Sequence, residues 1–258
     1  KKSLGQNFLI DKFVLEKIVG SVKIENKHVL EIGPGTGNLT SHILKHNPKK
    51  LVVIEKDTVL AKNLCEIFKN KITVVNDDIL KNIENSIFNE KATVFGNLPY
   101  NISTEILCKW ILNLNDQKIW FSNLILMFQR EVADRILAET NSKNYGRLSI
   151  LTSWKLNVKK ILNISPSCFV PKPKVESTLL NFSPKKNYIK LKNSKNLEIV
   201  TRVFFNQRRK KIKNPLNQLF KNFEKIIEKL KLNIELRPQN LSAETYYKIA
   251  KEYESSRN

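Results

Sequence analysis

Several short clusters in this chain carry residue types that could do chemistry, and each follows a run of apolar residues. Asn97-Leu98-Pro99-Tyr100 comes just after Ala92 to Phe95. A residue before proline is biased toward extended backbone, so the Leu98 carbonyl can face a cleft together with the Asn97 side-chain oxygen. Two such acceptors suit the exocyclic amine of an adenine, which has two hydrogens to donate and a lone pair delocalised into the ring. Holding both hydrogens makes the nitrogen more tetrahedral and localises the lone pair for in-line attack, by positioning and electrostatics without a strong base. Tyr100 offers a ring face on which an extruded base can stack. Gly33-Pro34-Gly35-Thr36-Gly37 follows the apolar run His28 to Ile32, and glycines there permit a tight turn and close approach of a ligand to the backbone. Glu55 closes the run Leu51 to Ile54, 22 residues after Gly33, where a carboxylate suits a ribose diol. Asp77 and Asp78 follow Ile72 to Val75, and either could accept from the amine of an adenine-bearing cofactor.

These clusters need elements that deliver them to one place. Strands of four or five apolar residues alternate with helical stretches at 11–19, 38–45, 58–69, 103–112 and 129–139. That pattern predicts an α/β domain with a parallel sheet and helices on both faces. In such a sheet ligands bind at the carboxyl ends of the strands, near the reversal of strand order. The clusters above all fall at strand ends. Ser103 is expected to cap the helix that follows Tyr100. Ser149 to Val158 and Val175 to Phe182 read as further strands at the end of the same sheet. From Lys185 onward the pattern turns helical and basic, which predicts two domains, 1–184 and 185–258.

Composition limits the partners. The chain has 258 residues, with 45 Lys+Arg against 24 Asp+Glu and a formal net charge of +21. The imbalance is steepest over 185–258, where 19 basic residues face 7 acidic ones. An excess of this size points to a polyanion. Within it Arg208, Arg209, Lys210, Lys211 and Lys213 form a dense run suited to phosphate contact, which gives salt-dependent, sequence-blind affinity. Cys65, Cys108 and Cys168 are odd in number and widely spaced, as in a reducing cytoplasm, and predict neither a disulfide framework nor a zinc site. His42 and His46, four apart with no acidic or cysteine partner near in sequence, read as a solvated helix end. No metal is expected. No secretory signal or membrane-length apolar run is visible, and an opening Lys1 implies that residues before it are missing.

The glycine loop, read from Glu31 as E-x-G-x-G-x-G, resembles the first motif of class I S-adenosylmethionine-dependent methyltransferases. Its spacing fits a dinucleotide fingerprint less well, and no GK[ST] follows to make a P-loop. Together SLGQNFLID, EIGPGTGNLT, VIEKD, NDDIL, FGNLPYNIST, MFQREVADRI, YGRLSIL and FVPKPKVEST resemble the ribosomal RNA adenine dimethylase family, over residues 3 to about 215. That resemblance implies a class I, Rossmann-like methyltransferase fold with a small C-terminal helical domain. It implies S-adenosyl-L-methionine as methyl donor, with Asn7, Leu9, Gly33, Gly35, Glu55, Asp78 and Asn97 as its contacts. Asp78 is preferred over Asp77 on that ground alone. Asn97, Leu98, Pro99 and Tyr100 would form the catalytic loop, and Phe169 would sandwich the target base against Tyr100. The implied reaction is dimethylation at N(6) of two adjacent adenosines near the 3′ end of small-subunit ribosomal RNA. The partner would be that RNA or an immature small-subunit particle, met in the cytoplasm by a monomer. QRRKKIKNPL resembles the family's RNA-binding helical start.

Two other readings stand beside this one. A large-subunit adenine methyltransferase of the macrolide-resistance type shares the N-terminal and target motifs, but Leu98 and FVPKPKVES favour the small-subunit enzyme. A non-catalytic RNA-binding assembly or transcription factor on the same scaffold would not need the glycines, Glu55, Asp78 and NLPY together. The stretch from Asn113 to Ser122 is a few residues longer than the family's pattern, and the sequence after Pro215 departs from it.

Overall fold

The structure, a computed structural model, describes residues 7–81, 87–114 and 119–257. Ser3 to Gln6 of the N-terminal motif and residues 115–118 of the long stretch lie outside them.

Seven strands build the main sheet: β2 (His28–Ile32), β3 (Lys50–Ile54), β4 (Thr73–Val75), β5 (Ala92–Gly96), β6 (Phe121–Gln129), β7 (Leu156–Ile164) and β9 (Ser177–Pro184). Their order is β4-β3-β2-β5-β6-β9-β7. The first five in that order pair in parallel, whereas β9 joins β6 antiparallel. The sheet is therefore mixed at this side rather than parallel throughout. A separate ribbon pairs β1 (Phe8–Leu9) with β8 (Phe169–Val170), Leu9 opposite Phe169.

Burial on both faces explains the short apolar strands. Val29, Leu51, Val53, Phe95, Ile125 and Met127 share one core with Leu15 and Ile18 of α1 (Lys12–Gly20), Ile43 of α2 (Asn38–Lys45) and Leu64 of α3 (Thr58–Phe68). The alternate residues Leu30, Val52, Val94, Leu124 and Leu126 are buried as well. Local chemistry sets the helix starts. Asp11 accepts from the Val14 amide at 2.9 Å, and Asp57 accepts from the amides of Val59 and Leu60.

Two local expectations fail. Ser103 does not cap α4 (Tyr100–Asn113), which begins directly after Pro99. Proline's fixed φ suits a helix entry, and the Ser103 hydroxyl, one turn inside, donates to the Tyr100 carbonyl. Ser149 to Val158 is not one strand. It divides into α6 (Arg147–Lys155) and the start of β7. Seven of the nine α6 residues are buried, so no apolar stripe marks the helical period. The Thr152 and Ser153 hydroxyls bond back to the Leu148 and Ser149 carbonyls, which lets polar residues sit inside it.

The chain forms two compact units. One comprises 1–107, 114–133 and 158–184, and so holds the β1–β8 ribbon, most of the sheet and the first turns of α5 (Arg130–Ile136). The other gathers 108–113 and 134–157 together with 185–258. It contains α6 and α7 (Lys195–Asn206), α8 (Lys213–Leu219), α9 (Phe223–Leu230) and α10 (Ala243–Ser255), around buried Trp154, Phe204 and Tyr246.

Candidate active site

The chain leaves β2 for β3 and β4 on one side, then returns to β5 on the other. That reversal opens a crevice at the carboxyl ends of β2 and β5. The cleft there is lined by Asn7, Phe8, Gly33, Gly35, Glu55, Lys56, Asp77, Asp78 and the run from Asn97 to Ile102. All the strand-end clusters singled out in the sequence meet in it.

Gly33, Gly35 and Gly37 all have positive φ, at 68°, 58° and 83°, a conformation that side chains other than glycine resist. At Gly35 a Cβ would also lie 2.6 Å from the Phe8 ring, while at Gly33 it would meet the Asn97 carbonyl at 3.6 Å. The glycine loop thus lies against the loop that carries Asn97. For the S-adenosylmethionine that the family resemblance implies, Gly35→Ala should displace the Phe8 ring and strain the turn, weakening binding by about tenfold or more. Titration calorimetry checks this, and wild-type affinity would contradict it.

Glu55 is only 3% exposed. One carboxylate oxygen accepts from the Gly35 amide at 3.1 Å and the other from the Asp57 amide at 2.9 Å. It therefore shapes the glycine loop, and each oxygen keeps a further lone pair for a hydroxyl. Asp78 accepts from the Leu80 amide and pairs with Lys56 at 2.7 Å, and these bonds hold its carboxyl below the usual range. Asp77, accepting from Lys81 and the Asp78 amide, is lowered in the same way. Both acids line the cleft. Ile32, Ile54, Ile79 and Ile106 add apolar walls, so the lining suits a ligand with an aromatic base and a sugar.

Glu31, which heads the glycine motif, is buried at 1% exposure and accepts from the Thr40 hydroxyl at 2.6 Å. Burial pushes its pKa up to about 8 from an ordinary 4.5, against the lowering effect of the Thr40 bond. Between those values the folded state keeps a proton that the unfolded chain has lost, so stability falls as pH rises from 4.5 through 8. Glu31→Gln keeps an acceptor for Thr40 and cannot ionise. Urea denaturation of the ligand-free variant should show a flatter stability profile across that window; an unchanged slope would refute the assignment.

The loop that carries Asn97 is held by a contact that the sequence does not reveal. The Asn97 side-chain amide donates to the Asn7 carbonyl at 2.9 Å. A carbonyl only accepts, so this bond fixes the amide's orientation and leaves Oδ1 as an acceptor. Leu98 is 2% exposed and lines the cleft, and its carbonyl takes no backbone hydrogen bond among the described residues. Tyr100 is half-buried, its hydroxyl 2.5 Å from that of Ser177, and burial raises its pKa, so the phenol stays neutral.

Two expected site residues are placed elsewhere. Phe169 is 2% exposed, packed in the core beside Leu9, and does not line the cleft with Tyr100. Leu9 is also buried and borders a smaller cavity beneath the glycine loop, where its carbonyl accepts from Asn38. Sequence reasoning passed over Phe8, Lys56 and Ser177. Ser177 had a signal, lying at the end of FVPKPKVEST. His42 is buried and its Nδ1 lies 2.9 Å from the Asn38 carbonyl, while His46 pairs with Glu16 across 2.8 Å. The solvated pair is thus corrected to two separate contacts, one within α2 and one to Glu16 of α1. Among the described residues no cluster of three or more metal-binding side chains occurs, and no helix is long and apolar enough to cross a membrane.

Arg208 to Lys211 occupy the turn between α7 and α8, and Lys213 is the first residue of α8. Arg208 donates to the Lys143 carbonyl at 2.6 Å, and Lys211 pairs with Glu235. Arg209, Lys210 and Lys213 are exposed.

Residues 1–255 match the sequence model of a family described as ribosomal RNA adenine dimethylase. A protein of Pelagibacter ubique named ribosomal RNA small subunit methyltransferase A is 62% identical over all of this chain and 98% of its own length. Among solved structures, a dimethyladenosine transferase from Plasmodium falciparum is 28% identical with a TM-score of 0.80, covering 96% of this chain and 98% of that one. The 23S rRNA methyltransferase ErmE superposes with a TM-score of 0.69 at 22% identity, covering 96% of this chain and all of that one. At that identity the likeness shows the fold alone.

Proposed function

The chain belongs to the ribosomal RNA adenine dimethylase family, and from that membership we propose how its cleft carries out the family's reaction. The protein is an S-adenosylmethionine-dependent enzyme that dimethylates adenosines of small-subunit ribosomal RNA. The cofactor supplies a methyl group activated by its sulfonium. We assign its binding to Asn7, Gly33, Gly35, Glu55 and Asp78, with Glu55 toward ribose hydroxyls and Asp78 toward the adenine amine. Leu9 shapes the loop from below.

The observation that carries the catalytic reading is the Asn97–Asn7 hydrogen bond. With its amide hydrogens turned to Asn7, Asn97 presents Oδ1, and Leu98 adds a backbone carbonyl. The pair would hold the two hydrogens of the target amine and localise its lone pair toward the methyl. Tyr100 would stack the extruded adenine. Phe169 would join that sandwich only after leaving the core. A first methylation leaves one hydrogen on nitrogen, so the second transfer would rely on one acceptor and on stacking.

Arg209, Lys210 and Lys213, with Arg208 and Lys211 behind their present contacts, would meet phosphates of the RNA. We place the encounter in the cytoplasm, with an immature small-subunit particle as substrate and a monomer as the acting form. The large-subunit alternative has shared motifs and a likeness of fold at 22% identity on its side, against a full-length small-subunit relative at 62% identity. Offering labelled methyl donor to immature small subunits and to large-subunit RNA in one mixture tests the assignment. Label should enter the small-subunit RNA alone; label in the large-subunit RNA alone would overturn it.

A further inference from the structure

We infer that Ser177 is a positioning residue for the target base, acting through Tyr100. The inference rests on the reading of Tyr100 as the stacking face. The Tyr100 hydroxyl lies 2.5 Å from Ser177 Oγ, across 77 positions of sequence, and Ser177 is fully buried.

The position of Ser177 is itself fixed. It opens β9 and pairs with Gln129 at the end of β6. Just beyond, the Arg130 amide donates to the Glu176 carbonyl at 2.9 Å, and the Arg130 guanidinium pairs with the Glu176 carboxylate at 2.6 Å. Ser177 Oγ therefore sits on backbone clamped from both strands. At the other end, Tyr100 enters α4 directly after Pro99, so its backbone is set by the same turn that presents Asn97 and Leu98. Anchoring the phenol leaves the ring with one tilt relative to the amine-holding acceptors. It also turns the hydroxyl toward β9, so that the ring meets the base by its face and the phenol does not compete for the base's polar edge. The reaction requires a nitrogen in line with a methyl, and loss of alignment by a fraction of an ångström lowers its rate steeply.

Ser177→Ala and Tyr100→Phe remove this bond from opposite sides, each by the loss of a single oxygen atom. Each should lower single-turnover methyl transfer by about three- to tenfold, the range a hydrogen bond of ordinary net strength allows. Cofactor affinity should stay near wild type, while melting temperature should fall by no more than about a few degrees, because one buried hydroxyl loses its partner. The double variant should be no slower than the slower single, because both lose one and the same contact. Tyr100→Ala separates the two levels of argument. Full activity in that variant would remove the stacking role on which the inference rests. A strong loss in Tyr100→Ala with wild-type rates in both Ser177→Ala and Tyr100→Phe would overturn the Ser177 assignment alone. Losses that multiply in the double variant, or that follow cofactor affinity, would overturn it too.

Discussion

Asn97→Ala should reduce methyl transfer by at least about a hundredfold to a thousandfold, the effect of removing one preorganised group from a transition state, while RNA affinity survives. The substitution deletes the Oδ1 acceptor and the donor that ties the loop to the Asn7 carbonyl. Leu98 would keep its carbonyl, yet a single acceptor cannot hold both amine hydrogens. Single-turnover kinetics with saturating donor read the chemical step directly, and a filter-binding titration reads RNA affinity. Asn97→Asp sharpens the test. It keeps an acceptor but sets a carboxylate oxygen against the Asn7 carbonyl, so its rate should fall between the wild type and Asn97→Ala. A wild-type rate in Asn97→Ala would show that neither its oxygen nor its anchoring matters.

Replacing Arg208, Arg209, Lys210 and Lys211 together with alanine should lower RNA affinity by at least an order of magnitude at moderate salt and flatten its salt dependence. Each phosphate neutralised contributes about −0.7 to −0.9 to the slope of log K against log salt. Arg209 and Lys210 are exposed, whereas Arg208 and Lys211 are engaged with the Lys143 carbonyl and Glu235. The slope should therefore fall by about 1.4 to 1.8 units from the first pair alone, and by more if RNA displaces the other contacts. Cofactor affinity should not move, because none of the four lines the cleft. Binding isotherms at several salt concentrations decide it, and an unchanged slope would take the run out of the RNA surface.

Much of the cleft was legible because its chemistry sits at strand ends. The glycine loop, Glu55, the Asp77-Asp78 pair and NLPY each follow a short apolar strand, and a parallel sheet brings strand ends together whatever the loops do. Contacts far apart in sequence were not legible. Nothing in the residue types says that the Asn7 carbonyl takes the Asn97 amide, or that Ser177 meets Tyr100. The pairing of β1 with β8 likewise buries Phe169 beside Leu9, and no local pattern separates a core aromatic from one lining a cleft. The helix α6 was misread for a related reason. It is buried nearly all round, so its apolar positions lose the 3.6-residue period, and Ser149, Thr152 and Ser153 weaken the helical signal further. The antiparallel entry of β9 at the side of the sheet is set by its pairing with β6, which strand propensity does not encode.

One cleft is proposed to carry two methyl groups to one adenine nitrogen of small-subunit RNA. Mass spectrometry of nucleosides from immature small subunits, incubated with the purified protein and S-adenosylmethionine, tests it most directly. The account predicts dimethyladenosine, mapping to two adjacent positions near the 3′ end of that RNA and missing when Asn97→Ala replaces the wild type. Dimethyladenosine confined to large-subunit RNA, or no methylated adenosine with any RNA, would contradict it.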